Sequence, residues 1–131
     1  MRTEFFLPME KVPTTTQQMH KVKIVNGKPQ FYDSDDLKAA RVKLTTHLAG
    51  HIPKGKYTKA VRLVVKWCFP KGSHKDGEWK TTRPDTDNLQ KLFKDILTDL
   101  GYWTDDALVA SEIVEKFWAE RPGIYVRIEN L

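Results

Sequence analysis

Only one cysteine, Cys68, occurs in the 131 residues. An internal disulfide framework is therefore excluded, and a reducing compartment, the cytoplasm, is expected. No apolar run approaches the roughly 20 residues that span a bilayer, so no membrane partner is expected. The start, Met1-Arg2-Thr3-Glu4-Phe5-Phe6, lacks the long apolar core of a secretory signal. There is no internal repeat, low-complexity tract or domain linker, and no Gly-rich phosphate loop. The last absence argues against a nucleotide-binding domain of the kind that a D-x-D transferase requires. What remains is one domain over residues 1–131, long enough to bury roughly two-thirds of its unfolded surface without staples.

An excess of negative charge is also missing. Lys and Arg number 22 against 17 acids, giving a net charge of +5 and a pI near 9.3. Such a balance suits a polyanionic partner, because each cation that neutralises a phosphate releases condensed counterions. The distribution is sharper than the sum. Lys71, His74, Lys75, Lys80 and Arg83 crowd one polar stretch, and Asp85, Asp87, Asp95, Asp99, Asp105 and Asp106 crowd the next.

The patterning predicts a short strand at Glu4-Phe5-Phe6-Leu7, an irregular loop over residues 9–18, and a hairpin of residues 21–25 and 30–32 around Asn26-Gly27, either an arm or part of the main sheet. Ser34 caps a helix whose Leu37, Ala40, Leu44 and Leu48 recur at helical steps, with Gly50 as its stop. Residues 61–69 form a strand ended by Pro70, and residues 71–82 a polar loop. A second helix follows Pro84, with Leu89, Leu92, Phe93, Ile96, Leu97 and Leu100 as its apolar stripe and Gly101 at its end. Residues 102–106 make a turn or irregular link. Residues 113–118 read as a strand of mixed facing, and residues 124–128 as the last strand. The order β, hairpin, α, β, α, β, β implies an α+β (mixed α/β) domain with two main helices packed on one mixed sheet.

Asp85-Thr86-Asp87-Asn88 opens the second helix. An Asp there is ordinarily a cap, accepting orphan N–H groups at the positive end of the dipole, and Asp105-Asp106 reads equally as turn chemistry. Taken together they say more. Asp87 and Lys91, four apart, share the face opposite the apolar stripe, as do Lys94 and Thr98. In the bland reading this is a solvated face with an ion pair; in the functional reading it is the floor of a groove where Asp85, Asp87 and an Asp of the 105–106 link converge. Clustered carboxylates repel one another unless a cation sits among them, and carboxylate oxygen is the ligand that Mg²⁺ or Mn²⁺ prefers. Lys91 adds a fixed positive charge for a phosphate in reaction. On a basic protein this set points to phosphodiester hydrolysis.

Arg83-Pro84-Asp85-Thr86-Asp87-Asn88-Leu89-Gln90-Lys91, followed by Gly101-Tyr102-Trp103-Thr104-Asp105-Asp106-Ala107-Leu108-Val109, resembles the pattern of the RusA-like Holliday-junction resolvases. That pattern is D-x-D-N-L-x-K, an amphipathic helix, then an aromatic-x-D-D block, and it covers roughly a fifth of the chain. The resemblance implies a homodimeric, Mg²⁺-dependent endodeoxyribonuclease that nicks four-way DNA junctions symmetrically, a metal-activated water attacking the phosphodiester. Carried over by position, it implies Asp85, Asp87 and Asp106 as metal ligands and Lys91 as the catalytic lysine, with Asp105 and Asn88 supporting. A non-catalytic basic DNA-binding module and a branched-DNA nuclease of different preference remain the alternatives.

Lys71, Lys75, Lys80 and Arg83, directly before the acidic run, are the expected phosphate contacts. Trp79 is either a platform for an unpaired base or an anchor of its loop. His47 and His51 are four apart but lack the Glu of a zincin motif, and Gly50 interrupts the helix between them. Cys68 reads as a small packing residue. Tyr102 and Trp103 are read as anchors that seat the acidic link.

Overall fold

The structure, a computed structural model, describes residues 1–15 and 20–131. Among the described residues six strands and two α-helices follow the expected order: β1 (Arg2–Pro8), β2 (His20–Val25), β3 (Lys28–Asp33), α1 (Asp35–Ala49), β4 (Val61–Pro70), α2 (Thr86–Asp99), β5 (Val109–Ala119) and β6 (Gly123–Asn130). The irregular loop expected over residues 9–18 is seen as far as Thr15, with Met9 and Val12 turned into the core; its remainder lies outside the described residues.

β1, β6, β4 and β5 form one mixed sheet in that order. β1–β6 and β6–β4 pair antiparallel, whereas β4–β5 pair in parallel through the α2 connection. β2 and β3, the hairpin that the turn sequence implied, make a separate two-stranded sheet, an arm rather than part of the main one. Asn26 and Gly27 both adopt positive φ, 53° and 75°, the conformation that a two-residue hairpin turn demands.

One face of the main sheet is apolar by alternation. Val61, Leu63, Val65, Trp67 and Phe69 of β4 and Ile124, Val126 and Ile128 of β6 are buried, because side chains two apart in a strand share a face. Both helices contribute to the same core: Leu37, Ala40, Leu44 and Leu48 of α1, and Leu89, Leu92, Phe93, Ile96 and Leu97 of α2. The Ser34 hydroxyl accepts the Leu37 N–H at 3.1 Å, so α1 begins at its expected cap. α2 ends before Gly101, whose φ of 84° is easily reached only without a Cβ.

Most strands run one to three residues beyond the sequence reading, and two features depart from it further. β5 begins at Val109, four residues before the expected start, since the parallel ladder with β4 recruits residues whose own pattern is mixed. The polar loop of residues 71–82 is tied to the outer edge of β5 near its end: Gly77 N–H donates to Trp118 O, Trp118 N–H to Glu78 O and Lys80 N–H to Lys116 O, at 2.8, 2.8 and 3.0 Å. Part of an otherwise open sheet edge is thereby covered. Among the described residues no helix is long and apolar enough to cross a membrane.

Tyr57, in a stretch with no strand or helix pattern, is a buried connector. Its hydroxyl meets Thr3 Oγ1 at 2.9 Å and donates to Ile128 O at 3.0 Å, and its backbone bonds Tyr102 and Thr104.

Gly123 begins β6 opposite Pro8, where a Cβ would stand 2.3 Å from Leu7 O and 2.5 Å from the Phe6 ring. Gly123→Ala is expected to cost about 3 kcal/mol, the upper part of the overpacking range, measured as a lowered urea midpoint. An unchanged midpoint would contradict the β1–β6 register described above.

Candidate active site

α2 shows two faces. Its apolar stripe enters the core, and on the other side Asp87, Lys91, Lys94 and Asp95 recur at three- and four-residue steps. These four meet Asp106 and Glu112 around a pocket of about 270 Å³, with Gln90 at its base. A second pocket of about 280 Å³ runs on past Asp95 and Asp106 to Thr98, Asp99 and Arg41 of α1. The acidic helix face is therefore one wall of a groove, with cations interspersed along it.

Asp85 occupies the N-cap position of α2 with extended backbone, yet its side chain makes no capping bond. Only its carbonyl serves the helix, accepting the Leu89 N–H at 3.2 Å. Its side chain is exposed and lies outside the pocket lining. Asp105 behaves in the opposite way. Its carboxylate accepts the Ala107 N–H at 2.9 Å and caps a short 3-10 turn, Asp106–Leu108. That bond holds its pKa below the usual aspartate value, whereas Asp106 is pushed above it by burial and by the neighbouring Asp105. Of the adjacent pair, Asp105 performs turn chemistry and Asp106 faces the groove.

The link that carries Asp106 is anchored by aromatics. The Tyr102 hydroxyl donates to Leu48 O at the end of α1, and the Trp103 indole N–H donates to Thr98 Oγ1 on α2 at 2.7 Å. Both rings are buried, and desolvation drives the Tyr102 pKa far above its ordinary value. Asp106 is thus fixed against the same helix that carries Asp87.

The opposite wall of the groove was not foreseen. Glu112 pairs with Leu63 in the β4–β5 register and so points to the helix side of the sheet. Gln90, 2% exposed, accepts the Trp67 indole N–H at 2.8 Å and donates to Glu112 at 3.1 Å. Lys94 closes the chain with an ion pair to Glu112 at 3.3 Å. The signal available was the mixed facing of this segment: Glu112 and Lys116 alternate with Val114 and Trp118, polar groups on an otherwise apolar face.

The expected phosphate contacts separate. Lys75 and Arg83 are exposed and Lys71 is half-buried. Lys80, by contrast, is turned inward at 8% exposure. Its ammonium lies 4.1 Å from the Trp118 ring and 5.1 Å from Phe69, and bonds Thr82 Oγ1 at 2.6 Å. Cation–π attraction to the two rings offsets the lost water, while burial, then Lys116, lowers its pKa. Trp79 pairs with Phe117, stacks on it at 4.6 Å and stays 58% exposed. Phe117 alternates with Lys116 and Trp118, so this stack lies on the face of the sheet away from the groove. Trp79 is an anchor on one ring face and open to solvent on the rest.

The histidines have structural partners. His47 Nδ1 contacts Lys43 O at 2.8 Å and His51 stacks on Phe5 at 4.3 Å. Cys68 is half-buried, and burial raises its pKa. Among the described residues no three His, Cys, Asp or Glu side chains are already gathered to hold a metal ion. The donor chemistry nonetheless fits Mg²⁺, which is commonly held by one or two carboxylates with water and substrate phosphate completing its shell. Asp87 and Asp106 share one pocket, and the Asp85 carboxylate is not spent on the cap.

A family model described as Endodeoxyribonuclease RusA matches residues 10–129. The chain is also similar to a crossover junction endodeoxyribonuclease, rusA, of Lactococcus phage r1t: 35% identity over 134 residues, covering 100% of both chains.

The Trp67–Gln90–Glu112 chain has a measurable energy. Gln90→Leu leaves the buried indole N–H without an acceptor and is expected to destabilise by about 1–3 kcal/mol in urea unfolding. Adding Trp67→Phe removes that orphan donor, so the double variant should lose clearly less than the sum of the two single losses. Simple additivity would count against the bond.

Proposed function

This chain belongs to the RusA endodeoxyribonuclease family, and we propose that it is a Holliday-junction resolvase that nicks branched DNA with Mg²⁺ as cofactor, Mn²⁺ being a possible substitute. The observation that carries the reading is the shared pocket of Asp87, Lys91 and Asp106: two hard oxygen donors and a fixed cation, joined from segments 15 residues or more apart in sequence.

Asp85, Asp87 and Asp106 are the residues that would hold the metal. When bound, a divalent ion polarises a phosphate oxygen and lowers the pKa of a water. The rest falls to the protein. Lys91, exposed on the pocket rim, offsets charge that builds on the phosphate during attack. Asp105 keeps the turn in shape so that Asp106 faces the groove, and Asn88 stands in the first turn of α2 as a supporting residue. Arg83, Lys75 and Lys71 contact the DNA backbone. Lys80 and Trp79 belong to the segment that runs from this loop into Asp85, and residues 79–84 form a strap along the edge of β5. In the geometry described, Lys80 supports the strap from within, and any stacking of Trp79 on a base uses its open face.

Two copies related by a two-fold axis match a four-way junction, which is itself two-fold and is resolved by paired nicks. The setting that suits this activity is DNA recombination and repair in the cytoplasm, where a free thiol such as Cys68 stays reduced.

Asp87→Asn is expected to lower Mg²⁺-dependent junction cleavage by about a thousandfold or more, the loss of several kcal/mol of charge stabilisation. Gel-shift binding of the junction should be largely kept. Lys91→Ala should lower the cleavage rate by about 10²–10³. Wild-type cleavage by Asp87→Asn would remove that residue from the site, and loss of binding in step with cleavage would turn the reading toward a DNA-binding module.

A further inference from the structure

We propose that Lys116 is a positioning residue for the acidic motif: from β5 it holds the strap, residues 79–84, that leads directly into Asp85 and Asp87. This rests on the nuclease reading of that groove. Lys116 faces the helix side of the sheet, in register with Trp67. Its ammonium donates to Thr82 O at 2.7 Å and to Pro84 O at 2.8 Å. Its own carbonyl accepts the Lys80 N–H at 3.0 Å. One residue therefore grips the strap at positions 80, 82 and 84, immediately before Asp85.

Besides Lys116, the strap is held by the Lys80 ammonium on Thr82 Oγ1 at 2.6 Å and by the burial of Pro84. Residues 81–84 belong to no helix or strand, and the Asp85 side chain does not cap α2. From the helix side the Asp85 carbonyl is fixed by Leu89 N–H; from the sheet side Lys116 holds the two carbonyls nearest to it, those of Thr82 and Pro84. The two carboxylates of the motif follow one and three residues after Pro84.

The choice of a cation is informative. An ammonium near a helix N-terminus is unfavourable to the helix dipole, and it also stands close enough to Lys80 to help lower that residue's pKa. Local stability alone does not call for a charge there. Two charge-assisted bonds to backbone carbonyls give a stiffer hold than neutral donors would. Misplacement of reacting groups by an ångström costs about a hundredfold in rate, so stiffness matters most beside a catalytic motif.

The test is Lys116→Met beside Lys116→Arg, each assayed in two ways. Amide hydrogen exchange is measured on the metal-free protein without DNA, and steady-state cleavage of a synthetic four-way junction is measured with Mg²⁺. For Lys116→Met, exchange over residues 82–88 is expected to rise at least about fivefold while β4 and β6 stay protected. In the same variant kcat should fall by about ten- to a hundredfold, with KM within about threefold of wild type. Lys116→Arg, which keeps the charge and two donors, should recover most of both losses.

Unchanged exchange over 82–88 would overturn the proposal. So would a raised KM with wild-type kcat, which would make Lys116 a DNA contact, or an Arg variant no better than Met. Should Lys116→Met fail to fold, Lys116→Gln carries the same expectations. If the wild-type protein cuts no junction, the nuclease reading falls, and the exchange comparison still decides what Lys116 does.

Discussion

The indole N–H of Trp67 is sealed in the core, with the residue 1% exposed, and it has to be bonded by the protein itself. Gln90 supplies the acceptor, and that bond joins the buried apolar stripe in fixing the rotation of α2 about its axis. With Gln90 turned toward β4 and β5, the apolar stripe from Leu89 to Leu97 drops into the core and Asp87, Lys91 and Lys94 come up beside Glu112. The far end of the same helix is held by Trp103 on Thr98, which brings Asp106 onto the same groove. A rotation of α2 by one residue would bury a charge and orphan the indole. The groove's composition therefore follows from a bond in the core as much as from the residues on its walls.

Local rules in the sequence account for most of the fold. The helical steps of Leu37 to Leu48 and Leu89 to Leu97, the alternation in β4, the Ser34 cap, the Asn26-Gly27 turn and the stop at Gly101 each involve residues a few positions apart, and each is seen in the structure. The hairpin followed from the same turn chemistry, which does not decide whether it joins the main sheet. The start of β5 did not, because its first residues pair with β4 for reasons of ladder geometry rather than of their own pattern.

The groove was legible only in part. Asp87, Lys91 and Asp106 could be read from spacing and family resemblance, and the geometry puts them on one pocket. Asp85 was read as a cap or a ligand; its carboxylate makes no capping bond, and it lies outside the pocket that Asp87 and Asp106 share. Glu112 and Gln90 were out of reach, since their bond joins positions 22 apart across two elements. Lys116 was equally hidden, reaching back 32 and 34 residues to its carbonyls. Lys80 shows the limit of reading charge as exposure: two nearby rings were enough to draw a lysine out of solvent. Trp79 turns on alternation, one residue of difference placing it on the face away from the groove.

Charge has two roles in this molecule. The net charge of +5 favours approach to a polyanion, and in the proposed reading the acids of the groove hold the cation that admits a phosphate. A DNA-binding module would use only the first. The most direct measurement is nicking by the wild-type protein of a synthetic four-way junction beside a linear duplex of the same sequence, with Mg²⁺ and with chelator. Paired, symmetric nicks in the junction alone, lost on chelation, are the predicted result; binding without Mg²⁺-dependent nicks, or equal cutting of the linear duplex, would contradict the account.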